Sequence, residues 1–329
     1  MYATADYQGL ELKDYRADCH RTEIARDVRL GLSAKQKYLP SKYFYDARGS
    51  ILFDRICRLP EYYPTRTELS LLREKATLLV RDFEKGDLVE LGSGANWKIR
   101  AVLNAMGRER RASSRYVAVD VSESALMNAG LELQRLHPEL SVLAVVADFT
   151  KDLHCLPDDR PKILFFFGST IGNLNAEETE IFLDQIRGCL KPGDRFVLGT
   201  DLVKSVTVLE AAYNDSQGVT AEFNKNILRV LNRELDANFV LSEFDHHAFF
   251  NRQQERIEMH LRANRDTEVE IRKLGATIRF GRGETVLTEI CRKFRRRTVE
   301  RTMRKAGLRI RGWHTDPRGW FALAEIEAG

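Results

Sequence analysis

Cysteine is scarce in this chain and has no pattern. Cys19, Cys57, Cys155, Cys189 and Cys291 are scattered over 329 residues, and no two have C-x-x-C spacing. The lack of that spacing argues against the usual zinc and dithiol frameworks, so no metal is expected. An odd, dispersed set fits reduced thiols, and a cytoplasmic location is expected. Long apolar runs are missing as well. A run such as Ile163-Leu-Phe-Phe-Phe167 is far too short to cross a bilayer. The opening Met-Tyr-Ala-Thr-Ala-Asp-Tyr has no basic stretch leading into an apolar core, so no signal peptide is expected. Charge of one sign is not in excess: 52 Lys and Arg face 48 Asp and Glu, for a net charge of +4. The local exception is residues 292–311, with ten Lys or Arg and one acid, Glu300. This run lacks interleaved exposed aromatics. It reads as a solvated helix face and a charged strand edge, so no nucleic-acid partner is expected.

What is present is a globular composition, 43% apolar and 30% charged, with one unusually informative stretch, Asp87-Leu-Val-Glu-Leu-Gly-Ser-Gly94. A short apolar run enters a glycine turn. Ile99, Val102, Leu103 and Met106 then fall on one face of a helix. Glycines at such a turn let the backbone approach a ligand, because no Cβ intervenes. A glycine turn also ends strands in other α/β proteins, so two further acids matter. Asp120 ends the next apolar run, Tyr116-Val-Ala-Val119, where a carboxylate can bind the ribose hydroxyls of a nucleoside. Val145-Val-Ala-Asp148-Phe149 ends another, and this pair can hold an adenine by hydrogen bond and ring packing. The turn is Glu-x-Gly-x-Gly rather than the dinucleotide Gly-x-Gly-x-x-Gly. A nucleoside without a pyrophosphate is expected, with S-adenosylmethionine (SAM) the obvious candidate. Gly92, Gly94, Lys98, Asp120, Asp148 and Phe149 form the expected cofactor set.

Strand candidates end near Gly92, Asp120, Asp148, Gly168 and Thr200, with helical segments between them, such as Ala176 to Leu190. Five repeats imply an α/β fold with a doubly wound, mostly parallel sheet. Upstream, helices are expected from Thr22 to Leu32, Ser50 to Arg58 and Thr67 to Val80. Residues 1 to about 14 look polar and frayed. After Asp201 the pattern changes. Phe239 to Phe250, Arg256 to Ala263, Val269 to Phe280 and Val286 to Phe294 read as strands of an inserted antiparallel sheet. Thr298 to Ala306 resumes a helix, with Gly307 placed to end it. Leu308–Trp313 and Trp320–Ile326 then make a closing hairpin. The expected division is a SAM-binding domain over 66–203 plus 293–329. A second, discontinuous α+β substrate domain covers 15–65 plus 204–292.

Several segments in order resemble the SAM-dependent amino-acid N-methyltransferase family that includes the histidine Nα-methyltransferases of ergothioneine biosynthesis. They include Lys42-Tyr-Phe-Tyr-Asp46, Phe53-Asp54, Arg58-Leu-Pro-Glu-Tyr-Tyr-Pro-Thr-Arg-Thr-Glu68, Gly168-Ser-Thr-Ile-Gly-Asn-Leu174, Gly199-Thr-Asp-Leu-Val-Lys204, Gly218-Val-Thr-Ala-Glu-Phe-Asn224 and Leu287-Thr-Glu289. The resemblance runs from about residue 24 to the end. It implies three successive methyl transfers from SAM to the α-amine of free L-histidine, giving hercynine, by a mechanism that needs no metal; a monomer is expected. It also implies roles. Tyr45 and Asn173, the expected catalytic pair, would orient the amine, and Gly168 would lie with them at the end of a buried strand. Tyr62 and Tyr213 would hold the carboxylate. Glu289 would accept from the imidazole N–H, and Met259 would wall the ring pocket.

One position departs from the family. A serine is expected two residues after the glutamate, and this chain has Cys291. Residues two apart on a strand share a face, so Glu289 and Cys291 are both expected at the ring. A thiol is a weaker hydrogen-bonding group than a hydroxyl, which leaves open the same chemistry on another aromatic amino acid, tryptophan or a prenylated derivative. A nucleic-acid methyltransferase and a non-catalytic SAM-binding protein are the remaining alternatives.

Overall fold

The structure is a computed structural model, and it describes residues 3–7, 10–15, 20–94 and 96–329. The described chain opens with strands β1 (Ala3–Tyr7) and β2 (Leu10–Asp14), helix α1 (His20–Ser33), the short strand β3 (Lys37–Tyr38), α2 (Ala47–Cys57) and α3 (Tyr63–Leu79). Strands and helices then alternate: β4 (Gly86–Leu91), α4 (Trp97–Asn104), α5 (Arg108–Ala112), β5 (Ser114–Asp120), α6 (Glu123–Leu136) and β6 (Ser141–Val146). Next come β7 (Lys162–Phe166), α7 (Ala176–Cys189) and β8 (Arg195–Asp201). Helices α8 (Val206–Ala211) and α9 (Val219–Leu235) precede β9 (Phe244–Asn251), β10 (Arg256–Ala263), β11 (Thr267–Ile271), β12 (Ala276–Phe280) and β13 (Thr285–Arg292). The last elements are α10 (Arg296–Lys305), β14 (Leu308–Thr315) and β15 (Phe321–Ala328).

These elements form two compact units. The first comprises Met1–Arg16, Pro64–Val203 and Lys293–Gly329, and the second Ala17–Tyr63 and Lys204–Arg292. The first unit is built on a nine-stranded sheet in the order β1-β2-β6-β5-β4-β7-β8-β15-β14. Strands β2, β6, β5, β4, β7 and β8 run parallel, and β15 returns antiparallel beside β8. β4, β7 and β8 are buried along their whole length, as strands covered on both faces must be. The strand order reverses between β4 and β7, and crevices at such switch points receive ligands.

The N-terminal stretch corrects the sequence reading. Residues 1, 2, 8 and 9 lie outside the described residues, but β1 and β2 form an antiparallel pair, and β2 adds to β6 in parallel. Leu10 and Leu12 enter the core with Leu126 and Leu133. A Cβ on Gly130 would stand 2.8 Å from Leu10 Cδ1, so α6 lies close over this strand. The segment looked frayed because only two apolar residues alternate in Leu10-Glu-Leu-Lys-Asp14.

The second unit holds a four-stranded sheet, β3-β13-β10-β9, and a two-stranded sheet, β11-β12. The segment read as one strand from Val269 to Phe280 is in fact this hairpin, reversed at Gly275 with φ of +56°. Helix α9 was not anticipated. Its buried Val219, Phe223, Ile227, Leu231 and Leu235 recur every four residues. Its first turn is capped by the Asp215 carboxylate, which accepts from Val219 N–H at 2.9 Å and Thr220 N–H at 2.7 Å. No helix of the described residues is long and apolar enough to cross a membrane. Cys19 lies outside the described residues. The fully buried Leu10 supplies a test of the added strand. Leu10→Ala should destabilise the protein by about 2–4 kcal/mol in urea unfolding, as a cavity in a packed core does, whereas a frayed segment would give under about 0.5 kcal/mol.

Candidate active site

In the first unit, β4 delivers the chain into Gly92, whose φ of +72° is a conformation that L side chains rarely adopt. Gly94 faces open space, since a Cβ there would meet nothing within 4 Å. Beside this turn lies the Phe149 ring, with an edge carbon 3.6 Å from where a Gly92 Cβ would stand. The ring is held edge-on against Phe166 and Phe182. Asp148 precedes it, and its Oδ1 accepts from Thr150 N–H at 3.0 Å and Thr150 Oγ1 at 2.6 Å, which fixes the carboxylate. Asp120 is half-buried at the end of β5, and its Oδ1 accepts from Ser122 N–H at 2.8 Å. Burial pushes its carboxyl up to about 6. Asn96, at the start of α4, donates to Glu132 at 2.8 Å, while its Oδ1 is buried without a hydrogen-bond partner. A glycine turn with open space, a carboxylate, a fixed acid–aromatic pair and an orphaned acceptor together suit a nucleoside ligand.

Lys98 is held by an unexpected residue. Glu68, on α3, is fully buried and pairs with Lys98 Nζ at 2.7 Å. Both of its oxygens lie 2.9 Å from the donating Gly168 N–H at the end of β7. Gly168 has φ of +76°, and a Cβ on it would stand 3.1 Å from Lys98 Nζ. Its N–H is therefore committed to Glu68. Ser169 follows with φ of +57°, rare for a residue other than glycine. Its Oγ accepts from Asp201 N–H at 2.9 Å. Asp201 is itself paired with the buried Lys293 at 2.9 Å. This holds the turn that leads to the half-buried Asn173. Asn173 does not cap the next helix: Asn175 does, with Glu178 completing the capping box. Glu90, of the Glu-x-Gly-x-Gly turn, is buried and accepts from Tyr116 Oη at 2.6 Å. Burial drives its carboxyl up to about 7.

In the second unit the three tyrosines singled out in the sequence come together around phenylalanines. Tyr45 meets Phe53 and Phe223 edge-on, with centroids 5.7 Å away in each case. Phe53 lies 6.3 Å from Tyr62, and Tyr62 lies 6.2 Å from Tyr213. Tyr63, beside Tyr62, is buried, and its hydroxyl accepts from Lys204 Nζ at 2.8 Å. In the sheet, β10 pairs with β13 so that Met259 opposes Glu289 and Ile257 opposes Cys291. Opposed residues share a face, so Met259, Glu289 and Cys291 line one surface, with Cys291 buried.

Comparison with known proteins bears on the whole chain. A model of the family described as "Histidine-specific methyltransferase, SAM-dependent" matches residues 24–328. The chain belongs to this family. A histidine N-alpha-methyltransferase of Mycolicibacterium smegmatis is 45% identical over 96% of this chain and 98% of the relative. One of Mycobacterium tuberculosis is 43% identical over 93% and 95%. A 4-dimethylallyltryptophan N-methyltransferase of Aspergillus fumigatus is 30% identical over 53% of each chain. The protein is thus a SAM-dependent methyltransferase.

Sequence reasoning quoted Glu68, Phe53, Phe223 and Asn224 inside motifs but gave them no role. The available signal was an acid embedded in the run Pro64-Thr-Arg-Thr-Glu68 at a position that turns inward. The raised carboxyl of Asp120 gives a pH test of the cofactor set. Above about 6 the group is ionised and can accept from two hydroxyls; below it, a proton occupies one oxygen. The SAM dissociation constant should therefore rise as pH falls through about 6, by up to about tenfold per pH unit. Calorimetry should show the rise in the native enzyme and a flatter profile in Asp120→Asn.

Proposed function

We propose that the chain methylates the α-amine of free L-histidine, in three successive transfers that give hercynine, the ergothioneine precursor. The full-length similarity to two histidine N-alpha-methyltransferases carries this reading. When bound, SAM supplies an electrophilic methyl group on a sulfonium. Gly92, Gly94, Lys98, Asp120, Asp148 and Phe149 would hold it. Asp120 would accept from the ribose, and Asp148 with Phe149 would hold the adenine.

The remaining work is positioning, because an oriented amine gains most of its advantage from lost translational freedom. Tyr45 and Asn173 would orient the amine, beside Gly168. Tyr62 and Tyr213 would grip the carboxylate. The amine must be neutral to react, and Tyr45, or a water held by Asn173, would carry its proton away. Glu289 would accept from the imidazole N–H against the apolar wall of Met259. The chain would act as a cytoplasmic monomer on two small soluble substrates, and its even charge balance argues against a nucleic-acid partner.

Cys291 favours a second reading, methylation of a larger and less polar aromatic amino acid. A buried thiol would stand beside the ring where the family is expected to have a hydroxyl, and one relative is named a 4-dimethylallyltryptophan N-methyltransferase. An assay of methyl transfer over all free amino acids, with mass detection of the products, separates the two. Trimethylated histidine as the preferred product supports the first; preference for an apolar aromatic substrate overturns it. Within the first reading, Glu289→Ala should raise the histidine KM by the equivalent of about 1–3 kcal/mol, the penalty for an unpaired polar group, and leave SAM affinity unchanged. Cys291→Ser should raise kcat/KM for histidine by up to about tenfold.

A further inference from the structure

Helix α9 carries two asparagines with no exposed surface, Asn224 and Asn226. Asn224 Nδ2 donates to the His260 carbonyl at 3.0 Å. That carbonyl can only accept, so it fixes which way the amide points. Nδ2 also lies 2.9 Å from His246 Nδ1, which must therefore be bare and accepting. The imidazole is then neutral with its proton on Nε2, and Nε2–H donates to the Tyr213 carbonyl at 2.8 Å. Burial, the larger effect, lowers the His246 pKa and agrees with the neutral form, against the pull of Asp215; His247 and Lys225 lower it too. On the other side, Asn224 Oδ1 accepts from Thr288 Oγ1 at 2.6 Å, and this hydroxyl lies 3.0 Å from the Met259 carbonyl oxygen.

Thr288 is where the sheet changes register. Met259 opposes Glu289, but the next residue, His260, opposes Leu287, so the ladder skips Thr288. A bulge of this kind adds one residue to one strand and re-aims the side chains that follow it. The residue that follows is Glu289. Asn226, two residues further along, faces a different side of the helix. Its Nδ2 donates to Asp46 Oδ1 at 2.8 Å and to the Phe44 carbonyl at 3.3 Å, the two neighbours of Tyr45.

We infer that Asn224 is a positioning residue for substrate recognition, which sets the Thr288 bulge, and with it the aim of Glu289, while anchoring the Tyr213 backbone through His246. This rests on the reading that Glu289 and Tyr213 contact histidine. Specificity for the ring is then fixed by an amide that does not itself touch the substrate. One buried hub ties the amino-acid grip to the ring grip.

Thr288→Val removes the hydroxyl at nearly constant volume, and Thr288→Ser keeps it. In Thr288→Val the histidine KM should rise about tenfold, the scale of one buried hydrogen bond lost, with the calorimetric SAM dissociation constant within about twofold of native. Thr288→Ser should stay near native in both. In a Glu289→Ala background, Thr288→Val should add little, because its effect runs through Glu289. A Thr288→Val enzyme with native histidine KM, beside a Glu289→Ala enzyme with a raised one, overturns the inference and leaves the functional reading standing. Equal losses for histidine and SAM, or full additivity in the double variant, also overturn it. An unchanged KM in Glu289→Ala strikes the functional reading instead. Should Thr288→Val fail to fold, Thr288→Ala removes the same hydroxyl without apolar crowding and takes the same expected outcomes.

Discussion

A carboxylate without any exposed surface must be neutralised where it sits, and Glu68 imposes that constraint on the first unit. An ionised group cut off from water costs several kcal/mol unless it is paired and hydrogen-bonded. Glu68 obtains both from its neighbours, a cation from α4 and an N–H from the end of β7. Room for it comes from Gly199 on β8, where a Cβ would lie 2.2 Å from Glu68 Oε1. One side chain thus joins α3, α4, β7 and β8 at the point where the strand order reverses. Gly168 and Gly199 follow from the same demand, since each lets a backbone approach a charged group closely.

Charge around the glycine turn is arranged along similar lines. Glu90 and Asp120 both sit where burial raises their carboxyl pKa, and the nearby Lys98 partly offsets this for Glu90 while Glu68 and Asp120 work against it. Among the described residues acting on Glu90, the acids Glu68 and Asp120 face the cation Lys98. Such a field favours a ligand that brings positive charge, as a sulfonium does, and it strengthens where water is scarce.

The legible parts of this fold were those written in local pattern. Five apolar runs ending in glycine or acid gave β4 to β8 in place, because a strand buried on both faces needs nearly continuous apolar sequence. Gly307 marked the end of α10, and the closing hairpin followed from two alternating runs. The illegible parts depend on distant partners. Nothing local in Leu10-Glu-Leu-Lys-Asp14 reveals that β6 offers an edge for it. The Leu274-Gly275 reversal was hidden inside a run that alternates well enough for one strand. In the candidate site, motifs singled out the residues proposed to meet ligands. The buried partners Glu68, Asn224 and Asn226 look from sequence like surface residues, because polar side chains are usually solvated. Only the assembled fold shows that each sits opposite a group that needs it.

The parallel pairing of β2 with β6 sets a timetable for synthesis. Leu10 and Asp14 leave the ribosome early, yet their partners Val142 and Val146 come more than a hundred residues later. At translation rates of about 5–20 residues per second, β2 waits for many seconds with Leu10 and Leu12 uncovered. Helix α1 and the tyrosine-bearing segment after it wait longer still, since α9 and the β9–β13 strands of their own unit follow β8. Both units are therefore completed by early chain threading back onto late chain. Long-range closure of this kind slows folding, and it leaves Leu10, Leu12 and α1 without their native cover until the later elements arrive.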